Sequence, residues 1–292
     1  MQKKHLSWIL VLIFVVPLFM VMFRRNRVSY DEDRVEIVSS CFPTYNMAVK
    51  LLSGLDGFHV SNLTSNYLSD HSCLHDYNLT SENARAIEDA SVLIVNGVDF
   101  EPFISKISSE NLQIIDSSKN VKVNNDKNPY IWISIENYLN QLKFVSDELC
   151  KIFVDYKNQI SDNLKSYVNV LENLKKDWTP KFSKFKGKKV AVFSEKFDYF
   201  LRELGLVPFH LVSEHSHEDM TSADKISNAV TKIKENHFKF FISDNANKTC
   251  SAIEKESGVK LVLLNNISDS KKGSYVDQMR YNFEKLHSSL SE

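Results

Sequence analysis

Within the run YLSDHSCLHDYNLT, Tyr67 to Thr80, three potential metal ligands alternate: His71, Cys73 and His75. Asp70 and Asp76 stand beside them. Imidazole nitrogen, thiolate sulfur and carboxylate oxygen together suit zinc or a similar first-row divalent ion. The same residues also fit a polar surface loop, because their spacing alone fixes no shared face. A second group, HLVSEHSHED, carries His210, Glu214, His215, His217, Glu218 and Asp219, and reads either as a solvated loop or as a loose collector of metal. Asp244 closes the apolar run FFIS, and Glu195 follows KKVAVFS. A carboxylate at a strand end facing a cleft is a ligand position, while for Asp244 the competing role is N-cap of the helix that follows.

Other chemistries lack their residues. No GxGxxG, GxxxxGK[ST], GxSxG or HExxH is present, so the sequence offers no phosphate cradle, hydrolase elbow or zincin helix. A zinc enzyme built on His71, Cys73 and His75 would lack a general base, and no catalytic step is expected. Thirty-six basic and 37 acidic residues leave a net charge of −1, which argues against nucleic acid as a partner. Cys41, Cys73, Cys150 and Cys250 are far apart with no CxxC. A disulfide scaffold is therefore not expected, although one pair remains open.

The elements that must position these groups alternate in type. VEIVSS, FHVSNLT, SVLIVNG and LQIIDSS read as strands; YNMAVKLLSG, closed by Gly54, and SENARAIEDA, with Ser81 as N-cap, read as helices. ENYLNQLKFVSDELCKIF and DYKNQISDNLKSYVNVLENLKKDW carry apolar residues at three- and four-residue spacing with no Gly or Pro. KKVAVFS, FKFFISD and VKLVLLN then give three more strands, separated by the helical stretches FDYFLRELGL, ADKISNAVTKIKEN and TCSAIEKESG. The expected fold is α/β: two lobes with mainly parallel sheets flanked by helices, joined by one long helix. The expected divisions are a segment 1–33, an N-terminal lobe 34–153, a connecting helix 154–182 and a C-terminal lobe 183–292. Ligand is expected in the crevice where the loops at the carboxyl ends of the strands converge.

Ahead of the lobes, residues 6–23 form an uncharged apolar run of 18 residues, flanked by Lys3 and Lys4 on one side and by RRNR on the other. That length just spans a bilayer, and no small-x-small cleavage site follows, so an uncleaved anchor is favoured over a cleaved signal. The soluble part is expected outside the membrane.

The order of motifs resembles the extracytoplasmic zinc- and manganese-binding components of ABC importers, the class with a rigid helix between two lobes. IVSSCFPTYNMAVKLLSG looks like that family's opening strand and helix, and LHDYNLTSENARAIEDASVLIVNGVDFEPFI like its first-ligand block. NPYIWISIENYLNQL resembles a segment usually read Asp-Pro-His-x-Trp, VAVFSEKFDYFLRELGL one usually read His-Asp-Ala-Phe-Gly-Tyr-Phe, and FFISDNANKTC the strand whose end carries an acidic ligand. The resemblance implies no enzyme but a monomeric binding protein that captures a divalent transition metal, zinc first and manganese or iron otherwise, and hands it to a permease and its ATPase. It implies His75 and Asp244 as ligands, with Tyr130 and Ser194 standing where two further histidines are expected. Hydroxyls are poor zinc ligands at neutral pH. His71 or Cys73, Glu195, and His215 or His217 are the candidate replacements; a glutamate would favour manganese or iron. A tethered surface or partner-binding protein without metal transport is the alternative reading.

Overall fold

Short apolar strands build two four-stranded sheets of the same topology. The computed structural model describes residues 34–65, 77–107, 111–123, 127–212 and 222–292. In the first sheet β1 (Val35–Ser39), β2 (Phe58–Asn62), β3 (Val92–Val95) and β4 (Gln113–Asp116) are ordered β2-β1-β3-β4. In the second, β5 (Lys189–Val192), β6 (Val207–His210), β7 (Phe240–Ser243) and β8 (Lys260–Leu263) are ordered β6-β5-β7-β8. The central strands β3 and β7 read VLIV and FFIS and are buried along their whole length, as parallel strands covered on both faces require. Registers such as Ser39 with Ile94 and Val192 with Ile242 are parallel. Each sheet thus reverses its strand order beside its first strand, and crevices for ligands open at such points beyond the carboxyl ends.

The helices are α1 (Phe42–Leu51), α2 (Ser81–Glu88), α3 (Ile135–Ile152), α4 (Lys157–Trp178), α5 (Asp198–Glu203), α6 (Ser222–Glu235), α7 (Lys248–Ser257) and α8 (Tyr275–Ser291). The long connecting helix is α4, with 22 residues. Helix α1 starts at Phe42, ahead of the expected Tyr45, because Pro43 occupies the first turn, where its missing N–H costs nothing. The N-cap of α2 is Thr80 rather than Ser81: Thr80 is extended and its Oγ1 accepts the Asn83 N–H at 3.1 Å. Two elements escape the sequence reading, the edge strand β6 and the C-terminal helix α8. Helix α8 lies against α4, with the Trp178 and Phe283 rings stacked at 5.7 Å, and its Tyr275 stacks on Tyr138 of α3 at 3.7 Å.

Residues 36–292 form one compact unit. No helix among the described residues is long and apolar enough to cross a membrane, and the expected anchor, residues 6–23, lies outside them. Cys41, Cys150 and Cys250 are free thiols, and burial pushes the Cys41 thiol up to about 12.

Candidate metal site

The carboxyl ends of the two sheets meet through the segment 127–133. Asn96, one residue past β3, donates its Nδ2 to the Pro129 carbonyl at 3.0 Å. On the other side Asn128 Nδ2 donates to the Glu195 carbonyl at 2.7 Å, and Trp132 Nε1 donates to the Asn266 carbonyl at 2.9 Å. Tyr130 sits between these bridges, buried, its ring against Phe100 and Trp132.

Asp244 follows β7 directly and points into this junction. Its Oδ2 accepts from Lys196 Nζ at 2.6 Å and from Asn266 Nδ2 at 3.1 Å. The two charged side chains are only 8% and 4% exposed, and Nζ lies 5.6 Å from the centre of the Tyr130 ring. Asp244 is not the N-cap of α7; that position belongs to Asn247, whose Oδ1 accepts the Cys250 N–H at 2.8 Å. Ser194 and Glu195 follow β5 on the neighbouring strand. The Ser194 Oγ is buried and has no hydrogen-bond partner among the described residues.

The structure thus brings Asp244, Tyr130, Ser194 and Glu195 to one junction. His75, His71, Cys73, His215 and His217 lie outside the described residues. Among the described residues no group of three His, Cys, Asp or Glu side chains could hold a metal. His210 is not part of a loop cluster: it ends β6, and its Nε2 lies 2.8 Å from Asp198 Oδ1. That hydrogen bond raises its pKa against the effect of partial burial, with the Asp198 and Glu195 charges adding to the rise. The neighbouring carbonyls of His210 and Leu211 accept from Lys232 Nζ, so this histidine belongs to the framework of the second lobe.

Lys196 was not singled out by the sequence reading. Its signal lies in the VAVFSEKFDYF block: Ser194 stands in the histidine position of the resembled motif, and Lys196 in its alanine position. The block loses an imidazole and gains an ammonium two residues later.

The first lobe carries a related arrangement at its own reversal point. Glu101 is buried beside β1 and β3, accepting from Ser40 Oγ at 2.5 Å, Asn96 N–H at 2.7 Å and Gly97 N–H at 3.1 Å. Burial raises its pKa to about 7 even though these donors favour the carboxylate. Gly97 has φ +85°, and a Cβ there would fall onto the Asp116 carboxylate, so this turn accepts only glycine without rearrangement. Glu101 opens the EPFI stretch that closes the first-ligand block, and its contacts are those of an internal fastener.

Two parallel α/β lobes with matching strand order, a long helix between them and a strand-end carboxylate at their junction define a two-lobe binding protein. The family model described as the periplasmic zinc-uptake complex component A matches residues 37–289, and the chain belongs to that family. The iron ABC transporter substrate-binding lipoprotein MtsA of Streptococcus pyogenes serotype M1 is 26% identical over 244 residues, covering 75% of this chain and 78% of MtsA. The manganese ABC transporter substrate-binding lipoprotein PsaA of Streptococcus mitis is 24% identical over 244 residues, covering 75% and 79%. The structure of the SBP FpvC of Pseudomonas aeruginosa in complex with Ni2+ superposes with a TM-score of 0.77 at 25% identity, covering 88% of this chain and 97% of FpvC.

Proposed function

We propose that the chain is the extracytoplasmic binding component of an ABC importer, taking a divalent transition metal at the junction of its lobes and passing it to a membrane permease with its ATPase. The observation that carries this reading is the family match across residues 37–289, on a chain whose Asp244 carboxylate stands buried at a strand end between the lobes. The relatives named as iron and manganese transporter components support it further. They do not favour the alternative of a tethered surface protein without metal transport.

Asp244 and His75 are the proposed principal ligands. Glu195 and His71 complete the shell in place of the imidazoles that Tyr130 and Ser194 do not supply, and zinc is the proposed native cargo ahead of manganese or iron. The lobes are taken as 34–153 and 183–292 with 154–182 between them, working as a monomer held at the membrane by residues 6–23. No chemistry is performed on the cargo; the protein binds and releases it.

The test is calorimetric titration of zinc and manganese into metal-stripped full-length protein, alongside His75→Ala and Asp244→Ala. Submicromolar binding that both substitutions weaken at least a hundredfold is expected. Wild-type binding no tighter than tens of micromolar would sink the reading.

A further inference from the structure

The Lys196–Asp244 pair has a chemical consequence for any cation arriving at the junction. Asp244 Oδ2 is the oxygen nearest Lys196 Nζ, at 2.6 Å, and the same oxygen also accepts from Asn266 Nδ2. Both charged side chains are almost wholly removed from water, so neither is screened and each is held by the other. Asn266 is itself fixed: its carbonyl accepts from Trp132, and its Oδ1 accepts from Ser268 N–H and Oγ. Lys196 also lies close enough to Cys250 to lower the pKa of that buried thiol slightly against the larger effect of burial. A divalent ion cannot share Oδ2 with an ammonium at contact distance, and even on Oδ1, which lies 3.5 Å from Asn245 Nδ2, it would be repelled by that ammonium at short range.

We propose that Lys196 is a tethered competitor of the cargo: its ammonium holds the face of Asp244 that a metal would use, and capture requires Lys196 to leave. This rests on the reading of Asp244 as a metal ligand given above. Metal affinity is then set by an exchange of one cation for another rather than by filling an open carboxylate. The unloaded site keeps its buried carboxylate neutralised, which a site with an unpaired Asp244 could not do at similar stability. Release is assisted in the same way, since the returning ammonium displaces the ion from within.

Two measurements on the full-length, metal-stripped protein test this. Zinc is titrated into wild type, Lys196→Gln and Lys196→Arg. Lys196→Gln is expected to tighten binding at least tenfold, equivalent to about 1.4 kcal/mol, whereas Lys196→Arg, which keeps the competing charge, does not tighten it. In wild type alone, amine labelling read by mass spectrometry is expected to find Lys196 protected without zinc and reactive at saturating zinc. This second readout stands even if Lys196→Gln does not fold. Wild-type zinc binding that Lys196→Gln leaves unchanged, or Lys196 protection that saturating zinc does not alter, overturns the proposal while the importer reading survives. Absence of binding in wild type and Lys196→Gln alike overturns both.

Discussion

At the residue scale the two buried carboxylates at the sheet reversal points solve one problem differently. Asp244 is neutralised by an ammonium, while Glu101 is held by a hydroxyl and two backbone N–H groups, with no ion pair among the described residues. Burial lifts the Glu101 pKa from 4.5 to about 7, so the folded state binds a proton that the unfolded chain has released across that window. Its contribution to stability is therefore fully present below pH 4.5 and is lost as pH rises through 7. Glu101→Gln stays neutral throughout and lacks this dependence. In urea unfolding at pH 4.5, 6 and 7.5, wild type is expected to lose on the order of 3 kcal/mol relative to Glu101→Gln across the series; parallel stability curves would refute the raised pKa. Neither role was legible from residue type. Glu101 meets Ser40 across 61 positions and Lys196 meets Asp244 across 48, and one sequence carries no signal for such distant pairs. The strand-end position of Asp244 was legible, because it follows the run FFIS directly.

At the scale of elements, legibility followed periodicity. The runs VLIV, FFIS and KVAV declared buried parallel strands, and the three- and four-residue spacing of α3 and α4 declared helices. Strand β6 did not declare itself, since VPFH carries a proline and a histidine in four residues; it is tolerated because β6 is an edge strand, where a missing N–H faces no partner. Helix α8 holds its place by contacts that only the fold creates. Its Tyr275 stacks on Tyr138 and donates its hydroxyl to the Trp132 carbonyl at 2.8 Å, fixing the same segment that carries Tyr130. Tyr275→Phe keeps the stack and strands the carbonyl, at an expected cost of about 1–3 kcal/mol in denaturant unfolding. Tyr275→Ala removes both and is expected to cost about 3–5 kcal/mol, as for other buried aromatic truncations. Equal losses for the two variants would show that the hydroxyl, not the ring, positions α8.

At the scale of the whole molecule, the lobes are fastened at several points, α4 included. Asn128 holds the Glu195 carbonyl and accepts the Tyr199 hydroxyl at 3.2 Å; Trp132 holds Asn266; and Lys175 of α4 reaches both Glu136 at 3.0 Å and Glu203 at 3.4 Å. Hinge opening would break the buried members of this set together and exchange each for water, at about 0.5–1.5 kcal/mol apiece. That total is of the same few-kcal/mol size as a ligand-driven population shift and opposes it, so binding is expected to rearrange side chains such as Lys196 rather than swing the lobes. Small-angle scattering tests this directly. The radius of gyration of residues 36–292, roughly 18 Å for a folded chain of that length, is expected to be the same in metal-free and zinc-saturated protein. Trp132→Phe, which removes one fastening between the lobes, is the informative companion. If that variant alone contracts on adding zinc, the hydrogen bond from Trp132 to Asn266 is what holds the lobes at fixed separation; if wild type contracts as well, the fastenings yield to the cargo and the rigid picture fails.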